Sequence, residues 1–179
     1  MNGKVLLTGG AGFIGTHLAT HLVSRGYEVH LVDNYSRGVS DSYLQRLLVN
    51  PGVTFSEIDL LDKEATLCLG INYDVIIHLA AIIGVKHVVN MPYQTMLNNV
   101  LMLDHMIEVA RRQKRLRRFL FASTSEVYAG TLQEFELTIP TPETSGIALT
   151  NLYEPRTTYM LSKIVGETLC HHSALPYTI

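Results

Sequence analysis

The stretch "LLTGGAGFIG", residues 6–15, constrains this chain more than any other. A short apolar run, Val5-Leu6-Leu7, leads into it, and residues 13–25 carry helical periodicity out of it through Phe13, Ile14, His17, Leu18 and Leu22. The glycines read Gly10-x-Gly12-x-x-Gly15, and Gly9-x-x-Gly12-x-x-Gly15 fits equally. Strand, glycine turn and helix in that order have a physical purpose. The turn needs backbone angles that glycine adopts without steric cost. A diphosphate can then approach the main chain, where a helix N-terminus offers unpaired N–H groups and the positive end of a dipole. Asp33 closes the next apolar run, 21 residues after Gly12. A carboxylate there suits the adenosine ribose hydroxyls of a dinucleotide and disfavours a 2′-phosphate. NAD is therefore expected over NADP, with Arg37 nearby tempering the preference.

Further apolar runs of strand length lie at residues 29–32, 53–58, 75–79 and 119–122. Between them come longer segments of helical period. Residues 93–112 place Leu97, Val100, Leu101, Met106 and Ile107 on one side, and residues 156–172 read as another helix. The alternation predicts an α/β fold, a Rossmann-type doubly wound parallel sheet with helices on both faces. A length of 179 residues, 47% hydrophobic and 17% charged, suits one globular domain with a full core. Residues 131–151 form the longest patternless stretch, and a loop of that length is often functional.

Composition excludes several classes. A net charge of −2 favours no polyanionic partner, so nucleic acid is not expected. The basic run "RRQKRLRR", residues 111–118, reads as a helix C-terminus leading into a strand. No apolar run approaches the roughly 18–20 residues that span a membrane, and the N-terminal run meets glycines too early for a signal peptide. Cys68 and Cys170 form no metal or disulfide spacing, which fits free thiols in a cytoplasmic protein. The adjacent His171 and His172 point to different helix faces and suggest no metal site.

In a doubly wound sheet, ligands bind beyond the carboxyl ends of the strands. Those exits carry the glycines, Asp33-Asn34, Asp59-Leu60, "HLAA" from His78 to Ala81, and "STSE" from Ser123 to Glu126. Small residues at Ala80 and Ala81, beside Leu79, would let a cofactor lie against the backbone, whereas His78 reads as a core histidine. "YMLSK" puts Tyr159 and Lys163 four apart on one helix face. A free phenol has a pKa of about 10, so a nearby ammonium and an oxidised nicotinamide are both needed to make it a base.

Together these pieces resemble the extended short-chain dehydrogenase/reductase family of nucleotide-sugar epimerases, dehydratases and decarboxylases. The matching stretches are "TGGAGFIG", "VDN", "DL", "HLAA", Asn99 in "NNV", "STSEVY" and "YMLSK", in family order along nearly the whole chain. The resemblance implies NAD held by Gly9, Gly12, Phe13, Ile14, Gly15, Asp33, Asn34, Asp59, Leu60, Leu79, Ala80, Ala81, Asn99, Tyr159 and Lys163. It implies Tyr159 as base, Lys163 lowering its pKa and holding the nicotinamide ribose, and Thr124 bonding the reacting oxygen of a nucleotide-sugar through a 4-keto intermediate. Glu126 would act on that ketone. A dehydratase carries Asp-Glu where this chain has Ser125-Glu126, whereas decarboxylases often carry Ser-Glu. "AAIIGVKHVV" looks more like an epimerase, and Ala129 intervenes where the family places glycine directly after the motif tyrosine. The resemblance further implies that residues 1–179 are the NAD-binding part of a longer enzyme with a C-terminal substrate domain, and that the full-length protein pairs as a homodimer.

Overall fold

Runs rich in Val, Ile, Leu and Phe become strands: β1 (Lys4–Thr8), β2 (Glu28–Asp33), β3 (Val53–Glu57), β4 (Val75–His78), β5 (Arg118–Phe121) and β6 (Tyr177–Thr178). The computed structural model, which describes residues 2–149 and 151–179, pairs them in parallel in the order β3-β2-β1-β4-β5-β6. Leu7 of β1 lies between Leu31 of β2 and Ile77 of β4. Alternation along the strands then divides the core in two. Leu6, Val32, Ile76, Phe119 and Phe121 face one side, and Val5, Leu7, Val29, Leu31 and Ile77 the other. Because both faces are covered, the strands read as unbroken apolar runs.

Helices α1 (Phe13–Ser24) and α2 (Ser42–Leu48) close the second face through Ala19, Leu44 and Leu47. Helices α3 (Lys63–Leu67), α4 (Val85–Asn90), α5 (Pro92–Arg111), α6 (Ala129–Glu134) and α7 (Thr157–His172) complete the set. On the first face, Met102, Leu103, Met106 and Ile107 of α5 meet Cys170 of α7 over the sheet. Gly166 lets α7 lie on that layer, since a Cβ there would fall 2.4 Å from the Phe121 ring.

Two helix faces differ from the periodicity reading. In α5 the buried row runs through Thr95, Asn99, Met102, Leu103 and Met106, while Leu97 and Leu101 lie on the outer surface with Tyr93. The helix is apolar on two sides, and the pattern merged them. In α1 the buried residues are Gly15, Thr16 and Ala19, and Phe13 and Ile14 are exposed. The short α2 and α3 escaped the sequence reading. Each has an aspartate cap that marks it: Asp41 accepts from the Tyr43 and Leu44 N–H groups, and Asp62 from that of Ala65. Of residues 131–151, α6 takes the first four, Thr131 bonds the Gly146 carbonyl and the Ala148 N–H, and residue 150 lies outside the described residues.

Three arginines of the basic run bond neighbouring groups of the fold. Arg112 donates to Leu67 at 2.7 Å and Arg117 to Asn2 at 3.0 Å, while Arg118 reaches the Thr178 hydroxyl at 2.9 Å. Cys170 is fully buried, and His171 and His172 are exposed beside it.

His78 is a buried member of the core, its Nδ1 bonded to the Thr8 hydroxyl at 2.8 Å. The same hydroxyl accepts from the Ala80 N–H at 3.3 Å. Burial, with Lys163 nearby, pushes the imidazole from 6.5 down to about 3. The unfolded chain binds a proton near pH 6.5 that the fold refuses, so stability falls as pH drops from 6.5 toward 3. This group alone adds a slope of up to about 1.4 kcal/mol per pH unit. Urea unfolding between pH 4 and pH 7 tests this: His78→Gln is expected to flatten the profile, and an unchanged slope would assign the acid sensitivity elsewhere.

Candidate active site

The glycine turn is built by close approach. Gly9 takes φ +71°, and a Cβ there would lie 2.9 Å from the Ala80 nitrogen, so the exits of β1 and β4 touch through their main chains. A Cβ on Gly15 would fall 2.2 Å from the Gly9 carbonyl oxygen. Gly12 differs: its φ of −78° suits any residue, and a Cβ would meet only the Gly9 oxygen, at 3.3 Å. The fold requires Gly9 and Gly15, whereas an open cradle for something outside is what Gly12 preserves. Beside it, the first N–H groups of α1, from Phe13 onward, lack intrahelical acceptors by helix geometry. The residues present therefore fit a dinucleotide diphosphate.

Asp33 ends β2 against this turn. Its carboxylate accepts from the Ala11 N–H at 3.0 Å and the Tyr35 N–H at 2.8 Å. Gly38, missed in the sequence, packs there too: a Cβ would lie 2.6 Å from that of Ala11 and 3.1 Å from an Asp33 oxygen. Asn34 turns its side chain to the Ser36 N–H. Arg37 reaches over the exit of β1 and donates to the Ile83 carbonyl at 2.9 Å. Its guanidinium is thus engaged beyond β4 rather than held free beside Asp33.

The middle exits hold less side-chain chemistry than expected. Asp59 is exposed and folds back to the Leu61 N–H, while the Leu60 side chain is buried in the core and its carbonyl accepts from His105. Leu79, Ala80 and Ala81 are half-buried along the wall beside the glycine turn. Asn99 is a clamp: its amide bonds both the N–H and the carbonyl of Ile82, at 2.7 and 3.1 Å, and the Ser162 hydroxyl at 3.3 Å. It shapes the wall after β4 from behind.

Four polar side chains meet at the exit of β5. Thr124 caps the 3₁₀ turn Ser125–Tyr128, and its side chain lies in the same cleft as Tyr159 from α7. Thr124, Glu126, Arg156 and Tyr159 share a cleft of about 220 Å³ with Ile83, Gly84, Val85 and Val88. No residue of the stretch 131–149 lines it. Ser123 donates to Glu167 of α7, tying the turn to the helix that carries Tyr159. Arg156, at the cap of α7, approaches Glu126 at 3.9 Å. Sequence reasoning missed Arg156 and Glu167, although the spacings of three before and eight after Tyr159 place both near its face. Gly130 does carry a packing role despite the intervening Ala129, since a Cβ would strike the Ala148 carbonyl oxygen at 1.9 Å.

Lys163 lies almost wholly buried, donating to the Ala122 carbonyl at 2.7 Å, with its ammonium 4.6 Å from the Phe121 ring centre and 5.9 Å from that of Tyr159. Burial pushes it down to about 8. Tyr159 is shifted upward in the protein alone. Burial and the Glu126 charge raise its pKa, and the neighbouring Thr124 hydroxyl only partly offsets them. The protein alone therefore keeps the phenol protonated, and a further positive charge is needed to make it a base.

The two kinds of glycine separate in experiment. Gly12→Ala is expected to hold its unfolding midpoint within about 3 °C while weakening NAD binding at least about tenfold. Gly15→Ala is expected to lose several degrees through overpacking. Calorimetry of both variants decides, and unchanged NAD affinity in Gly12→Ala would remove the cradle reading.

Comparison with known proteins agrees with this geometry. Residues 5–179 match the family described as the NAD dependent epimerase/dehydratase family. A UDP-N-acetyl-alpha-D-glucosaminuronate decarboxylase of Bacillus cytotoxicus is 37% identical, over 100% of this chain and 53% of its own length. The UDP-Glc/GlcNAc 4-epimerase of Campylobacter jejuni superposes with a TM-score of 0.81 at 27% identity, over 97% of this chain and 49% of that one. The UDP-glucose 4-epimerase of Thermus thermophilus, solved as a complex with NAD, gives 0.76 at 30% identity, over 97% and 53%. The chain spans about half the length of these relatives. By its matched length, its sheet order and its glycine turn, the chain belongs to the NAD dependent epimerase/dehydratase family.

Proposed function

We propose that residues 1–179 form the NAD-binding part of an enzyme that oxidises one hydroxyl of a nucleotide-sugar to a ketone, acts on that ketone, and reduces or releases it. The carrying observation is the meeting of Thr124, Glu126 and Tyr159 in one cleft beside the dinucleotide cradle. NAD supplies the hydride acceptor and the positive charge that the phenol lacks. The glycine turn, Phe13, Ile14, Asp33 and Asn34 hold its adenosine diphosphate end, and the β4 exit and Lys163 hold its nicotinamide end. Asp33 favours NAD over NADP, and the tie from Arg37 to Ile83 supports that preference. Tyr159 then takes the hydroxyl proton, Thr124 holds the oxygen, and Lys163 places its ammonium beneath the ring.

A second reading refines the first. Simple epimerisation needs no carboxylate at the ketone, yet Glu126 lines the cleft. That position supports chemistry at the neighbouring carbon, and the decarboxylase among the relatives points the same way. A non-catalytic NAD sensor would have no use for this set.

The outer row of α5, Tyr93, Leu97 and Leu101, supports a homodimer. Leu97→Glu with Leu101→Glu is expected to halve the mass by light scattering, and an already monomeric parent would end the proposal. No helix among the described residues is long and apolar enough to cross a membrane. The free thiols Cys68 and Cys170 support a cytoplasmic location, which an exclusively secreted protein in fractionated cells would refute.

The intact protein, incubated with UDP-, GDP- and dTDP-sugars and read by mass spectrometry, tests the function. Unchanged mass with an altered sugar indicates an epimerase, loss of water a dehydratase, and loss of CO₂ a decarboxylase. Tyr159→Phe is expected to lower turnover at least about a thousandfold with NAD still bound, general-base loss alone being worth about 10²–10⁴. Glu126→Gln is expected to harm dehydration or decarboxylation strongly and epimerisation little. No altered sugar from any substrate would leave the sensor.

A further inference from the structure

The cleft holds a cation that the redox step does not use. Arg156 lines it together with Thr124, Glu126 and Tyr159. Its backbone is helical, with φ −63° and ψ −28°, and Tyr159 follows three residues later. The two side chains therefore project from neighbouring positions on one helical face. The nearest Glu126 oxygen is 3.9 Å from the guanidinium, well beyond the roughly 2.7–2.9 Å of a formed charge-assisted hydrogen bond. Both side chains are largely exposed, at 61% and 43%. A loose pair in water contributes little to stability, so folding does not explain an arginine here. A planar fork of N–H donors facing a small cleft is, however, suited to a carboxylate.

We infer that Arg156 is the specificity-determining receptor for a carboxylate on the sugar carbon next to the oxidised one, so that the enzyme selects nucleotide-uronates over neutral nucleotide-hexoses. The inference rests on the proposed keto-sugar chemistry and deepens it. Thr124, Tyr159, Glu126 and Arg156 line one cleft of about 220 Å³, so a sugar held with its reacting oxygen on Thr124 and Tyr159 would bring the substituent of the adjacent carbon near Arg156. A carboxylate entering alone would face the Glu126 charge. Arg156 stands beside that charge and can serve both anions, the looseness of its present pair leaving its fork available.

The chemistry balances. Hydride leaves C4 for the bound NAD, and the O4 proton passes to Tyr159. The carboxylate is then β to a ketone. The C5–C6 bond breaks, CO₂ departs, and the electron pair enters a C4–C5 enolate whose oxygen is held by Thr124 and Tyr159. A proton from water returned to C5 restores the ketone, and return of the hydride to C4 with the Tyr159 proton to O4 would leave the cofactor oxidised again. Holding the carboxylate does not ease its loss, because the salt bridge favours the charged ground state. Arg156 instead binds and orients, and its removal is felt more in KM than in kcat.

Titration calorimetry on the intact, NAD-loaded protein provides the test, with UDP-glucuronate and UDP-glucose as probes and turnover of the same pair beside it. Arg156→Gln is expected to weaken the uronate at least about tenfold and the hexose less than about twofold. Arg156→Lys is expected to recover part of the uronate affinity. Equal losses for both sugars, or no recovery with lysine, would overturn the receptor role and make Arg156 a support for Glu126. A parent protein that decarboxylates the uronate while Arg156→Gln binds it normally would overturn this inference alone. A parent that alters no nucleotide-sugar would overturn the function and this inference together.

Discussion

The site depends on one main-chain contact, the approach of Gly9 to Ala80. Strand β1 lies between β2 and β4, and the chain winds outward from it in both directions. At such a reversal the connections leave on opposite faces and a crevice opens beyond the strand ends. Its width is set by how closely the two exits approach. A side chain at position 9 would push Ala80 away, spread the crevice, and move the wall that Asn99 clamps through Ile82. The cradle beneath Gly12, the Asp33 carboxylate and the β4 wall all take their spacing from that contact.

A second dependence is electrical. Three titratable groups near the exits of β4 and β5 are held away from their solution behaviour. His78 is held neutral, the Lys163 ammonium is lowered to about 8, and the Tyr159 phenol is raised. Burial is the largest cause in each case, and it acts against the charged form every time. Lys163 keeps its charge at neutrality because the Ala122 carbonyl and the Phe121 ring face it. The protein thus prepares positions rather than a ready base. A cation arriving beside the phenol would tip it toward phenolate, which couples base strength to cofactor binding.

Much of the fold was legible because local and global signals agreed. Strand exits could be aligned from apolar run lengths, and the glycine turn and Asp33 fell where a parallel sheet would need them. The failures have common causes. α5 is apolar on two sides, so Leu97 and Leu101 were merged with the buried row through Asn99 and Met106. Leu60 and Asn99 carry motif identities, yet one fills the core and the other braces a loop, and a one-dimensional pattern does not distinguish a ligand contact from its support. The direction of the Tyr159 shift was also hidden, because it depends on burial and on Glu126, which lies on a different element. Glu167 and Arg156 were invisible for a related reason: each matters through a partner distant in sequence, Ser123 and Glu126.

The arrangement separates a fixed part from an adjustable one. Lys163 is buried in the core and Tyr159 is half-buried, with Thr124 anchored at the start of its turn. Altering these would disturb packing as well as chemistry. Glu126 and Arg156 sit on an exposed turn and a helix cap, and their ion pair is loose. Exchanging such groups costs little stability, because exposed pairs contribute at most about 1 kcal/mol. On the proposed function, a single oxidising core would serve several outcomes, with the fate of the ketone decided by charges that the fold does not need. On this chain those charges are one carboxylate and one guanidinium, 3.9 Å apart in a small cleft.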